Sequence, residues 1–352
     1  MTAFFNPYVC ILLLMAALGF AYRSANARMR HVISAVCLAV LILFFGLRGN
    51  VGDDYASYHA IYGRLSATDF LLMPAFSSAM WLCRAAGMTF AAFVFLTSVA
   101  TNVLLLRFAL QSGHNVPWLL CVFLGMSGVA NEIDFIRNTI SLLLFACSIR
   151  YITERRARRF YLLNIVGIAF HYSALLYLPI YCMVTRMNIR RGAFAAAIAV
   201  GCLLAFVRPA LFAWLPRLSD TGSELSQHLL TYVTTYNHPL HFSVATLERL
   251  LTACAVIALY HRLQSCDSVR VAVLGFMLFF LSISIFSHYA ILSTRLANIF
   301  VFSYWLLWPS IVQQLDSRRA RFRVGTLMLC YMTFRLIGLG SLPAWHYTTV
   351  FD

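Results

Sequence analysis

The stretch that decides the fold runs from Arg155 to Arg191: RRARR (155–159), FYLLNIVGIAF (160–170), His171, YSALLYLPIYCMVT (172–185) and RMNIRR (186–191). Two arginine clusters flank about 25 apolar residues, with one histidine near the middle. A run of that length ordinarily makes one transmembrane helix. A single crossing would put the clusters on opposite faces of the membrane, yet arginine-rich loops favour the cytoplasmic side. The conflict disappears if the segment is a re-entrant hairpin: two half-length helices, both ends cytoplasmic, with His171 at the turn. Non-helical backbone at membrane depth survives only when buried in protein or lining a wet cavity. The expectation is therefore that His171 lies in a cavity.

The composition agrees with a membrane setting. Of 352 residues, 61% are hydrophobic and 11% charged. Soluble domains carry roughly a quarter charged residues. Apolar runs recur from end to end, so the chain reads as a single all-α polytopic domain over 1–352. No A-x-A-like cleavage site follows the first apolar run, so Pro7–Tyr22 is expected to remain as a helix. Every one of the 27 basic residues is arginine, and the net charge is +15. The arginines sit in short clusters between apolar spans, which is a topology signal and not a nucleic-acid footprint. The ten cysteines are scattered through apolar segments without a CxxC, so neither a metal site nor a disulfide framework is expected.

Working outward from the hairpin gives about ten spans. They are Pro7–Tyr22, Val32–Leu47, Met88–Leu106, Trp118–Val129, Thr139–Ile152, Ala193–Trp214, Thr246–Tyr260, Val271–His288, Leu296–Val312 and Val324–Leu339. Phe70–Gly87, broken by Pro74, reads as a short outer-face helix. The loop Leu215–Ala245, with His228, His238 and His241, falls outside the membrane. Most arginines then face the cytoplasm and most acidic residues face out.

Nine arginines break that rule: Arg48, Arg64, Arg84, Arg137, Arg208, Arg217, Arg249, Arg295 and Arg335. An arginine inside an apolar span costs ~2.5–3.5 kcal/mol on insertion scales and usually faces a cavity or a partner. Arg48, Arg137 and Arg295 all fall at outer helix ends and can converge on one outward-facing cavity. The plainer alternative is that they snorkel or pair with local acids such as Glu132 and Asp134. Guanidinium forks match phosphate oxygens and stay charged. A membrane cavity lined with them suits a lipid-linked pyrophosphate.

In GDDYASYHAIY (52–62), Gly52 permits a tight turn. The acids Asp53 and Asp54 can cap the helix that carries Tyr55, Tyr58 and Tyr62 on one face. Beyond capping, a carboxylate at a cavity mouth can accept a proton from a sugar hydroxyl. The tyrosine rings can stack on sugar faces. A lone histidine in an apolar segment such as His171 is more often a packing hydrogen bonder than a catalyst; the hairpin argument is what raises it.

Four short motifs occur in an order that resembles the EpsG-type, Wzy-like polysaccharide polymerases. They are Arg48 with GDDYASY, FIRNTISLLLF (Arg137, Asn138), AFHYSALLYLPIY (His171, Ser173) and STRLANIF (Arg295, Asn298), spread over Leu47 to Phe300. The resemblance implies a glycosyltransferase of the bacterial inner membrane. It would polymerise undecaprenyl-pyrophosphate-linked oligosaccharide repeats on the outer face, with no cofactor and no metal, and a chain-length regulator would be a potential partner. His171, Asp54 and Arg137 would be catalytic. Arg48, Arg295, Tyr55, Tyr58, Asn138, Ser173 and Asn298 would hold pyrophosphate and glycan. Three rival readings stand beside it. An O-antigen ligase would want a larger outer loop, and a membrane acyltransferase a histidine near the inner face. A lipid-linked glycan flippase would want charge pairs along helix interiors.

Overall fold

The structure is a computed structural model that describes residues 6–187, 189–206, 241–287 and 289–352. Among these the chain is helical throughout, and the one β-type contact is an isolated bridge between Arg48 and Thr349. Among the described residues six helical segments are long and apolar enough to cross a membrane: Pro7–Ser24, Ala27–Gly46, Phe90–Gln111, Val116–Ile133, Asp267–Ile285 and Arg318–Gly340. Ala290–Ile299 and Phe302–Gln314 make a seventh if the pair counts as one span. This is the architecture of a multi-pass membrane protein.

Among the described residues fewer spans are clear than the ten expected, for local reasons. The helix at Ile136–Thr153 carries Arg137 and Arg150 and is not apolar enough to count. The segment expected at Thr246–Tyr260 is a helix of 15 residues, Val244–Ala258. The Leu296–Val312 span is broken at Phe300. The Ala193–Trp214 span begins as Arg191–Phe206 and then leaves the described residues, as do Arg208, Arg217, His228 and His238.

The chain divides into two compact units, Met1–Thr185 with Tyr304–Asp352, and Arg186–Ser303. In the first, α1 (Pro7–Ser24) starts at Asn6, whose side chain accepts from the N–H groups of Tyr8 and Val9. That is a side-chain N-cap. After α2 (Ala27–Gly46) come three short helices: α3 (Tyr55–Gly63), α4 (Ala67–Leu72) and α5 (Pro74–Ala85). Pro74 opens α5, where its missing N–H costs nothing. At 12 residues α5 is about 18 Å long, too short to cross. Then α6 (Phe90–Gln111) and α7 (Val116–Phe123) follow. The latter continues through a break at Leu124–Gly128 into α8 (Val129–Ile133).

The segment from 155 to 186 doubles back. Helix α9 (Ile136–Thr153) leads to α10 (Ala157–Phe170), which stops at His171 (φ −157°, ψ 127°). A 3-10 turn over Tyr172–Tyr177 follows, then α11 (Leu178–Arg186). The Tyr161 hydroxyl lies 3.4 Å from Cys182 Sγ, and the ring of Phe160 is 5.3 Å from that of Tyr181. Phe145 of α9 stacks on Tyr177 at 4.2 Å and meets Phe160 edge-on at 6.2 Å. The two arms therefore close on one aromatic core against α9. Neither arm reaches the ~30 Å that a crossing needs.

The second unit packs α12 (Arg191–Phe206), α13 (Val244–Ala258), α14 (Tyr260–Leu263), α15 (Asp267–Ile285) and α16 (Ala290–Ile299). Phe194 of α12 lies 6.0 Å from Tyr260 and 6.5 Å from Phe276. Helix α17 (Phe302–Gln314) re-enters the first unit at Tyr304 and contributes Trp305 to its core, and α18 (Arg318–Gly340) leads to the C-terminal tail.

Candidate active site

The end of α9 that carries Arg137 and Asn138 is where the polar side chains of the first unit collect. Asn138 is buried, and its Oδ1 accepts from Ser173 Oγ at 2.9 Å. Ser173 Oγ in turn lies 2.7 Å from His171 Nδ1. The fold-back at His171 is what brings the imidazole to α9. A hydroxyl has one proton. With that proton given to Asn138, the 2.7 Å contact is Nδ1–H donating to Ser173, and the ring keeps its lone pair on Nε2. The backbone N–H of Ser173 also points at Nδ1, at 3.2 Å, which favours the other tautomer. Only the Nδ1–H form carries the relay on to Asn138 Oδ1.

One residue before Asn138, half-buried Arg137 lies over the ring of Tyr58, 5.6 Å from its centroid, and Nη1 donates to Met73 Sδ. A cation over an aromatic face is attracted to its quadrupole. Among the described residues Arg137 makes no ion pair; the local acids expected to neutralise it are committed elsewhere. Glu132 is buried, and its Oε2 accepts from Thr101 Oγ1 at 2.9 Å.

Asp134 organises the turn before α3. Its Oδ1 accepts the Asp54 N–H at 3.2 Å, and its backbone carbonyl accepts the Tyr58 hydroxyl at 3.0 Å. Burial pushes its carboxyl from the ordinary 3.8 to about 7. Gly52 makes the approach possible, with φ +96° and no room for a side chain: a Cβ there would lie 2.2 Å from Asp134 Oδ1. Asp54 occupies the N-cap of α3, but its side chain makes no capping bond. The capping role expected of the acids is thus replaced by a bond in the opposite direction, from the Asp54 backbone to Asp134.

Arg48 is turned inward. It is 2% exposed, with Nη1 donating to Phe45 O at 2.6 Å and Nη2 to Ile133 O at 3.3 Å. Burial lowers its pKa, and the nearby Glu132 and Asp134 oppose that shift. The expectation of a pyrophosphate ligand at Arg48 does not fit this burial; its donors tie the end of α2 to the end of α8. Tyr58 is likewise buried, between Arg137 and Phe76, so it is not an open face for sugar stacking. Tyr55 is half-buried, with its ring 5.2 Å from that of Phe90. These rings belong to a hydrophobic cluster that α5 and α6 complete through Phe76, Met80 and Phe93.

The structure adds groups that no motif pointed to. Met73 meets Arg137 at the α4–α5 junction. The C-terminal tail straps the turn from Leu47 to Gly52: Gly49 N donates to Thr348 O at 2.8 Å, Gly52 N to Ala344 O at 2.7 Å, and Val350 N to Leu47 O at 2.9 Å. Arg295 and Asn298 belong to α16 of the second unit, where Arg295 is exposed and Asn298 half-buried.

Fold and site together define a multi-pass, all-helical membrane protein with an arginine and a hydrogen-bonded histidine gathered by a helical fold-back. The chain belongs to the EpsG family, whose model matches residues 31–348. EpsG is a Wzy-like polymerase-type family, and membership points to a role of the polysaccharide-polymerase type. No curated protein and no solved structure matches the chain.

Proposed function

We propose that this protein polymerises undecaprenyl-pyrophosphate-linked oligosaccharide repeats at the outer face of a bacterial inner membrane. The observation that carries the reading is the relay Asn138–Ser173–His171, placed by the fold-back one residue from an arginine with no carboxylate partner among the described residues. In this reading the segment 157–186 is re-entrant, with both ends cytoplasmic, and about ten spans surround it.

The acceptor hydroxyl oxygen attacks the anomeric carbon of the donor. The bond from that carbon to the pyrophosphate oxygen breaks, and the pyrophosphate leaves on its lipid. His171 Nε2 takes the hydroxyl proton, with Ser173 and Asn138 holding the ring in the basic tautomer. Arg137 meets the charge that develops on the leaving pyrophosphate. Asp54, half-buried near the same turn, is the alternative base. Arg48 acts by fixing the turn and not by touching phosphate. Arg295 and Asn298 stay candidates for pyrophosphate and glycan through the STRLANIF motif alone. A chain-length regulator is a potential partner.

Purified protein supplied with a lipid-linked repeat should produce a ladder of lengths. A product that never exceeds one repeat would reject the polymerase reading. Movement of intact single repeats across a vesicle membrane would favour a flippase instead.

A further inference from the structure

A transmembrane helix must satisfy its own backbone groups, and Val116–Ile133 fails to do so at one place. Met126 (φ −111°, ψ 69°) and Ser127 (φ 70°, ψ 1°) leave the helical conformation. Two side chains cover the freed groups. Trp305 Nε1 donates to Met126 O at 3.3 Å, and Arg335 Nη1 donates to Gly125 O at 3.1 Å while lying 3.4 Å from Met126 Sδ. Trp305 shows that a neutral donor suffices for such a carbonyl. Arg335 brings a charge into a spanning helix, where a charge without a counter-charge is costly. Among the described residues no carboxylate pairs with it, and its Nε and Nη2 make no hydrogen bond.

Arg335 lines a cavity of about 260 Å³ together with Ser127 and the apolar side chains of Leu124, Val129 and Leu339. Its α18 wall is open at Gly338, where an added Cβ would meet nothing within 4 Å. Phe334 and Ile337, on the same helix, are 59% and 53% exposed, as residues facing lipid would be.

We propose that this cavity binds the phosphate or pyrophosphate head of a membrane lipid. The guanidinium holds the head while the hydrocarbon chain leaves past Gly338 along Phe334 and Ile337. A guanidinium fork matches phosphate oxygens, and an anion removes the cost of the uncompensated charge. The site is separate from His171 and Arg137. If the polymerase reading holds, it is where a second lipid-linked substrate waits.

The test uses the purified full-length chain and three probes: farnesyl pyrophosphate, farnesol and inorganic pyrophosphate. Binding is measured in the Arg137→Gln background, so that the first proposed phosphate site is silent. Farnesyl pyrophosphate should bind at least tenfold more tightly than either other probe. Adding Gly338→Leu, which places a side chain in the opening where a Cβ meets nothing within 4 Å, should weaken that binding at least tenfold and leave the melting temperature of the unliganded protein unchanged. Arg335→Gln should weaken it similarly. Loss of all binding in Arg137→Gln alone would overturn the second site, as would equal binding of farnesol, or of inorganic pyrophosphate, or indifference to Gly338→Leu. If Arg137→Gln binds with the same stoichiometry as the unmodified chain, the Arg137 assignment fails and this one stands.

Discussion

Tyr161 and Cys182 stand 21 positions apart, yet the hydroxyl of one lies 3.4 Å from the thiol of the other. In a continuous helix they would be about 31 Å apart. The same fold-back sets Gly167 beside Ala174: a Cβ on Gly167 would lie 3.5 Å from the Ala174 Cβ. That separation is within the range of a disulfide, whereas seven residues of straight helix span about 10 Å. The double variant Gly167→Cys/Ala174→Cys should therefore form an intramolecular disulfide under mild oxidation, read by thiol counting. Two free thiols at those positions would count against the break at His171.

His171→Ala should reduce polymer formation by about 10²–10⁴-fold, the usual worth of a general base. Ser173→Ala and Asn138→Ala should each cost roughly tenfold in kcat with little change in KM, because the ring loses its tautomer but not its place. The pH profile should separate a positioning role from a merely structural one. If Ser173 orients the base, the acidic limb of the rate profile moves in Ser173→Ala. An unchanged limb with a lower rate would leave Ser173 as packing.

Arg137→Ala should abolish long chains and leave single repeats on the lipid, a fall of about 10²–10³ in kcat if it stabilises the leaving pyrophosphate. Arg137→Lys should recover part of the rate, since charge is kept but the fork is lost. A ladder of unchanged length in Arg137→Ala would remove it from the chemistry.

Asp134 makes stability depend on pH in a defined direction. Its carboxyl titrates at about 7 in the folded chain, against an ordinary 3.8. Below pH 4 both states hold the proton and the contribution of this group is fully present. Between about pH 4 and 7 the unfolded chain ionises first, so the stability owed to this group falls as pH rises and is lost above 7. Asp134→Asn keeps an acceptor for the Asp54 N–H and removes the titration. Its melting temperature should vary less with pH across that window than that of the unmodified chain. Parallel curves would show that Asp134 is already ionised in the fold.

Gly52→Ala combines a positive φ with a contact at 2.2 Å to Asp134 Oδ1. It should lower stability by about 1–3 kcal/mol and disorder the turn that carries Asp54. Hydrogen exchange at the Asp54 and Tyr58 amides is the direct readout.

The fold-back was legible because two arginine clusters made a single crossing topologically costly, and the helix stops at His171, near the middle of the apolar stretch. The site was legible only where it followed the chain. FIRN and AFHYS each place their residues locally, and Ser173 then joins them. What the sequence could not show were pairings between distant loops. Nothing in PAWHYTTV announces that it will strap Leu47–Gly52, and nothing in GDDY announces that Asp134 will hold it. Tyr58 misled for a similar reason: an aromatic stripe reads the same whether it faces sugar or Phe76. Among the described residues six or seven spans are long and apolar enough to cross, and Thr139–Ile152 is not one of them because Arg137 and Arg150 lie on the same helix.

The most direct test of the whole account is the sidedness of Arg158 and Arg190, which flank the doubled-back segment and are both exposed. In a cysteine-free background, Arg158→Cys and Arg190→Cys should both react with a membrane-impermeant thiol reagent from the cytoplasmic side and from no other. Labelling of the two positions from opposite sides would mean that the segment crosses the membrane, and would remove His171 from the proposed pocket.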